Sequence, residues 1–219
     1  SLGGFNTDAD LDATMSADLD NGLTASVTIG IDTANYAGEA TKSGNLTLSS
    51  DTASLTFGND VSSASFSAVG DTIGFGDGED SITGFIGSYT FGTTTLFISA
   101  PMAGGATELP SESIEFGVTA DVGGMTVGLG VDDGDYVGKV SGAVSGVSYT
   151  IAAGEVAGVD RWDVALSYPV GSLTIGYTVD STANNPWEAS AAYAEGALSG
   201  KVTYTSADDS FKVEGSYDL

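Results

Sequence analysis

The chain has 219 residues, enough for one domain, and carries 30 acidic residues against 5 basic ones with no histidine, a formal net charge of −25. So negative a chain repels phosphate backbones, which argues against nucleic-acid binding and makes cations the natural partners. There is no cysteine, so disulfide and thiol chemistry are excluded, and no apolar run reaches the roughly 18 residues of a membrane-spanning helix. Yet Leu, Ile, Val, Phe and Tyr recur from Leu11 to Leu219, unlike in a disordered acidic chain. The opening Ser1-Leu2-Gly3-Gly4 has no initiating methionine and no signal-peptide pattern, so a processed or truncated chain is expected.

The first element shows the rule of the whole chain. Leu11, Ala13, Met15, Ala17 and Leu19 share one parity, and Asp10, Asp12, Thr14, Ser16 and Asp18 share the other. Period two makes this a strand with one apolar and one polar face. After Asp20-Asn21-Gly22, a hairpin-type turn, Leu23, Ala25, Val27, Ile29 and Ile31 resume the apolar parity. Further strands are expected over about 43–49, 53–58, 83–91, 93–99, 112–122, 125–132, 136–145, 147–153, 160–170, 172–180, 186–195, 197–205 and 210–219, about fifteen in all. Tight connections at Gly92, Gly123-Gly124, Gly146, Gly171 and Gly196 alternate with longer polar ones at 33–42, 100–111, 133–135, 154–159, 181–185 and 206–209.

Short turns at one rim and longer loops at the other predict an all-β, transmembrane antiparallel β-barrel forming a single domain over 1–219. A soluble β-sandwich also alternates, but its wet face would carry abundant Lys and Glu. Here that face carries Ser, Thr, Gly and Asp. Helices are disfavoured by 32 glycines and many β-branched residues. Against lipid, an apolar face of mixed Ala, Val, Leu and Tyr needs no partner sheet, although every backbone group must still be paired. Tyr136, Trp162, Tyr168, Trp187, Tyr193, Tyr204 and Tyr217 sit near strand ends, where an interfacial aromatic girdle is expected.

Three segments carry a family resemblance: D-A-D-L-D-A-T-M-S-A-D-L-D-N-G-L-T-A-S-V-T-I-G-I-D (8–32), S-L-T-F-G-N-D-V-S-S-A-S-F-S-A-V-G-D (54–71) and V-E-G-S-Y-D-L (213–219). In this order they resemble the general bacterial porins of alphaproteobacteria. The resemblance implies sixteen strands, a homotrimer in the outer membrane of a Gram-negative bacterium, and passive diffusion of small hydrophilic solutes. It also implies a missing first strand, since about fifteen are read here. The terminal residue is Leu219 where the family usually ends in Phe.

Segment 59–82 fits no hairpin strand and is the candidate pore-constricting loop, with Asp60, Asp71, Asp77, Glu79 and Asp80 as its acids. In the resembling family the corresponding loop folds into the pore. A calcium ion at Asp77-Gly78-Glu79-Asp80 is conceivable, although the twelve-residue calcium-loop pattern is absent. Of the five cations, Lys42 lies at a loop edge, and parity puts Lys139, Arg161, Lys201 and Lys212 on the lumen face. A charge on the lipid face would cost about 2–4 kcal/mol at mid-depth. These cations either oppose the loop acids across the pore or neutralise acids on their own wall. Asp12, Glu115, Asp163, Glu188 and Glu214 belong to a lumen acidic wall, whose excess predicts cation preference.

No histidine, cysteine, nucleophile-elbow or phosphate-loop pattern is present, so no enzymatic activity and no cofactor is expected. The competing function is an acidic secreted β-structured adhesin or surface-layer module that binds calcium.

Overall fold

The computed structural model describes residues 9–33, 41–70, 73, 75, 82–102, 114–182 and 184–218. Fifteen strands form one antiparallel sheet in strict chain order, each bonded to its sequence neighbours. The first five are β1 (Ala9–Asp18), β2 (Thr24–Thr33), β3 (Thr41–Ser49), β4 (Ala53–Val61) and β5 (Ile82–Phe91). The next five are β6 (Thr94–Pro101), β7 (Glu115–Val122), β8 (Met125–Asp132), β9 (Asp135–Val144) and β10 (Val147–Val156). The last are β11 (Val159–Val170), β12 (Leu173–Asp180), β13 (Trp187–Glu195), β14 (Leu198–Thr205) and β15 (Ser210–Tyr217). One short helix, α1 (Ala64–Val69), interrupts the meander between β4 and β5.

All fifteen strands expected from periodicity are present, with differences at their ends; β3, for one, starts at Thr41 and takes Lys42 from the expected loop 33–42 into the ladder opposite Ile31. Strand β4 runs on to Val61 through a register shift between Gly58 and Val61, which places Asp60 in the strand rather than in the loop. Asn45 Nδ2 donates to the Asp60 carbonyl at 2.7 Å, holding that irregular stretch to β3. The expected loop 154–159 shrinks to the turn Ala157-Gly158, because β10 continues to Val156 and β11 starts at Val159. Ala157 takes φ 53°, and its N–H donates to both Asp135 carboxylate oxygens at 3.0 and 2.9 Å. The expected loop 133–135 is likewise reduced to residues 133–134. At the opposite rim Gly123 and Gly124 both have positive φ, 62° and 85°, as the tightest hairpins of right-twisted strands require.

The two faces of the sheet separate as parity predicts. Ladder partners carry each face from strand to strand: Lys139 stands opposite Ala152, Ala152 opposite Asp163, and Asp163 opposite Asp180. The other face carries Leu11, Met15, Leu46, Leu96, Leu129, Ile151, Ile175 and Val202, all exposed. Phe211 and Val213 reach 72% and 75% exposure. Among the described residues every strand belongs to one sheet and no second sheet covers this apolar face, which argues against a sandwich. Buried hydrophobic residues are few, and Ala64, Ala68, Val69, Phe75, Val137, Ala152 and Val156 gather at or beneath α1 on the polar face. Such an inside-out distribution suits a sheet whose apolar side meets lipid.

Outward aromatics mark both rims. Tyr89, Tyr149, Tyr168 and Tyr193 lie close to the tight-turn ends of their strands, and Tyr217 pairs with Leu198 at the same level. At the other rim Tyr136, Trp162 and Trp187 are exposed, and Tyr204 packs between Trp187 and Phe211 with ring centroids 5.0 and 4.9 Å away.

An odd number of antiparallel strands has a geometric consequence. Strands β1 and β15 both run from the longer-loop rim to the tight-turn rim, and they are the two ends of the sheet. An all-antiparallel closure therefore takes one further strand between them.

The two faces should respond differently to charge. Leu129→Arg, outward on β8, is expected to lower stability in lipid by about 2–4 kcal/mol, whereas Ser190→Arg, inward on β13, changes it little. Urea unfolding in lipid vesicles measures both, and equal losses would contradict the assignment of faces.

Candidate functional site

The polar face acquires a third dimension where the chain leaves β4 and turns inward. Ser63 caps α1: its Oγ accepts from the Phe66 N–H at 3.2 Å, satisfying one of the free donors of a helix start. At the other end the Gly70 N–H returns to the Phe66 carbonyl at 2.7 Å. Period-two reading missed this helix because six residues are too few to show a 3.6-residue repeat.

Small residues in the wall let α1 lie flat. A Cβ on Gly117 of β7 would stand 2.1 Å from the Ala64 carbonyl oxygen, and one on Gly128 of β8 would stand 2.4 Å from that of Ala68. Beside them, a Cβ on Gly130 would meet the Phe75 ring at 3.0 Å and the Ser65 carbonyl oxygen at 3.2 Å. The helix backbone thus rests directly on the strand backbone. Ala68, Val69 and Phe75 complete the contact with Val137, Ala152 and Val156, with Ile73 and Phe97 at its edge.

Polar groups tie both ends of the segment. Towards the start, the Ala64 N–H donates to Ser99 Oγ on β6 at 2.7 Å. The Ser65 N–H and hydroxyl both donate to Glu115 Oε2 on β7, at 3.4 and 2.5 Å. Glu115 is only 4% exposed. Towards the end, Lys139 Nζ on β9 donates to the Val69 carbonyl at 2.7 Å. Arg161 on β11 donates through a terminal guanidinium nitrogen to the Ile73 carbonyl at 3.2 Å. The segment therefore spans the inner face from β6 to β11.

The remaining lumen residues fall into separate places. Asp163, half-buried, shares the inner face with Lys139 and stands opposite Asp180. Lys201 on β14 lies directly opposite Glu214 on β15. Glu214 is also ion-paired with Lys212 at 2.8 Å, so Lys212 neutralises an acid of its own wall. Glu188 sits between Thr178 and Thr205 on the neighbouring strands. Asp12 is exposed on β1, opposite Gly30. Of the loop acids, Asp60 lies in β4, while Asp71, Asp77, Glu79 and Asp80 lie outside the described residues. Among the described residues no group of three or more carboxylates is placed to hold a metal ion.

The footprint of α1 was not drawn from the sequence, although a signal for it exists. Gly117, Gly128, Gly130, Val137, Ala152 and Val156 occupy polar-parity positions without a polar side chain. Apolar or absent side chains on an otherwise polar face mark where something covers it.

One antiparallel meander with an apolar outer face, a polar inner face and a segment laid across the inner one is the architecture of a β-barrel wall. The solved structures that this chain is similar to include two mutants of Rh. blastica porin, both at TM-score 0.67, with 13% and 12% identity. In each, 97% of this chain and 90% of that chain are covered. A triple mutant of Rhodopseudomonas blastica porin matches at TM-score 0.61 with 13% identity and the same coverage. No family model and no curated protein sequence matches the chain. At such identities the likeness is one of fold: the chain has the fold of these porins, the group its sequence motifs resemble.

Filling the glycine floor should dislodge the helix. Gly117→Val is expected to destabilise the seated segment by about 1–3 kcal/mol through overpacking. Amide hydrogen exchange over residues 64–70 would rise while exchange in β12–β14 stays unchanged; unchanged exchange over 64–70 would show that the floor is not needed.

Proposed function

We propose that this chain forms a diffusion channel in the bacterial outer membrane for small hydrophilic solutes and ions, narrowed by the infolded stretch that carries α1, and that it prefers cations. The observation that carries the reading is the two-faced wall with α1 laid across its polar side. A soluble binding module has no need to leave its apolar face uncovered, and the sequence carries no histidine, cysteine or nucleophile-elbow pattern that would favour an enzyme. The porin fold supports the same reading, and by analogy with those proteins the chain assembles as a homotrimer.

Cation preference rests on the excess of acids over bases on the inner face. The inward cations are Lys139, Arg161, Lys201 and Lys212, the last paired with Glu214. Inward positions meanwhile carry Asp12, Asp121, Asp132, Asp163, Asp180 and Glu188. A lumen lined in this way attracts cations and raises their local concentration.

Reconstitution into planar bilayers tests both levels. Stepwise conductance is expected, with a reversal potential of the sign for cations under a potassium chloride gradient. Glu188→Gln combined with Asp163→Asn should move that potential towards zero. Anion preference in the unmodified protein would sink the selectivity reading, and an absence of conductance would sink the channel.

A further inference from the structure

We propose that Lys139 and Arg161 are positioning residues, a latch that seats the infolded segment through its backbone and so sets the width and steadiness of the pore. The inference rests on the channel reading above but concerns how its constriction is held.

The groups at the two ends of the segment are complementary to the polarity of a helix. At the start, where backbone N–H groups lack partners, the wall offers acceptors: Ser99 Oγ and the Glu115 carboxylate. At the end, where carbonyls lack partners, it offers donors: Lys139 Nζ to Val69 and the Arg161 guanidinium to Ile73. Anionic groups near a helix start and cationic groups near its end are the favourable arrangement for its dipole. Hydrogen bonds with a charged partner are about twice as strong as neutral ones, and a six-residue helix supplies little stability of its own. Its apolar contact is made by small side chains, Ala64, Ala68 and Val69, together with Phe75.

The strand between the two cations leaves room for the segment to cross. On β10, Ala152 stands opposite Lys139 and Gly154 opposite both Val137 and Arg161. Lys139 and Arg161 are half-buried, whereas Lys201, on the same face, is exposed. The inward cations therefore differ in their engagement: Lys139 and Arg161 are bound to the segment's backbone, Lys212 is paired with Glu214, and Lys201 is exposed opposite Glu214.

The chain has no cysteine, so Ser67→Cys on α1 supplies a single label. Its rate of modification by a charged thiol reagent is measured in the full chain in lipid, with conductance and reversal potential recorded in parallel. Lys139→Met with Arg161→Met is expected to speed labelling by about tenfold or more and to make the open-channel current noisy. Lys139→Arg with Arg161→Lys, which keeps the donors, should restore slow labelling and a quiet current. Lys201→Met should shift the reversal potential towards cations and leave labelling as it was. Wild-type labelling in the double Met variant, or a reversal-potential shift like that of Lys201→Met without faster labelling, would overturn the latch. Amide exchange over residues 64–70 in the chain without the introduced cysteine repeats the test if Ser67→Cys itself disturbs α1. A wild-type chain that labels as expected but conducts nothing would refute the channel and leave the latch standing.

Discussion

Backbone pairing is the constraint on which this structure depends. In hydrocarbon an unpaired N–H or C=O costs several kcal/mol, so strands that cross lipid must each find partners on both sides. A meander in strict chain order meets that demand with the shortest connections available, and every strand from β2 to β14 has its two neighbours. The ends, β1 and β15, run in the same direction and so cannot pair antiparallel with each other. The alternation of side chains follows from the pairing: once the backbone is a sheet, odd and even residues must face opposite solvents.

The inner face shows how a wall of this kind supports a constriction. Where α1 crosses β7 and β8, the wall has given up side chains altogether, at Gly117, Gly128 and Gly130. Where the segment continues over β9 and β10, it has become apolar, at Val137, Ala152 and Val156. Around this footprint stand the polar groups that tie the segment by its backbone. Shape supplies the seat, and the charged hydrogen bonds fix the position on it.

Parity made much of this legible. The fifteen strands, their faces and the inward placement of Lys139, Arg161, Lys201 and Lys212 follow from counting in twos, because each strand's geometry is local. The strand ends were less legible. Asp60 was read into the loop because the register shift after Gly58 breaks the alternation, and residues 154–159 were read as a loop because Ala157 in a left-handed conformation is not a usual turn signal. Helix α1 was invisible for a different reason. Its stability comes from the floor it lies on rather than from its own six residues.

The sequence by itself determined a two-faced antiparallel wall, an acid-rich interior and an apolar exterior, since these depend on period, composition and turn chemistry within each hairpin. Only the tertiary structure decided what the interior charges do. Lys139 and Val69 are 70 residues apart, Arg161 and Ile73 are 88 apart, and Glu115 and Ser65 are 50 apart. Nothing in a strand's own pattern records which distant backbone will be laid against it. The two cations that parity assigns to an open wall are, in the folded chain, bound to a segment that crosses from four strands or more away.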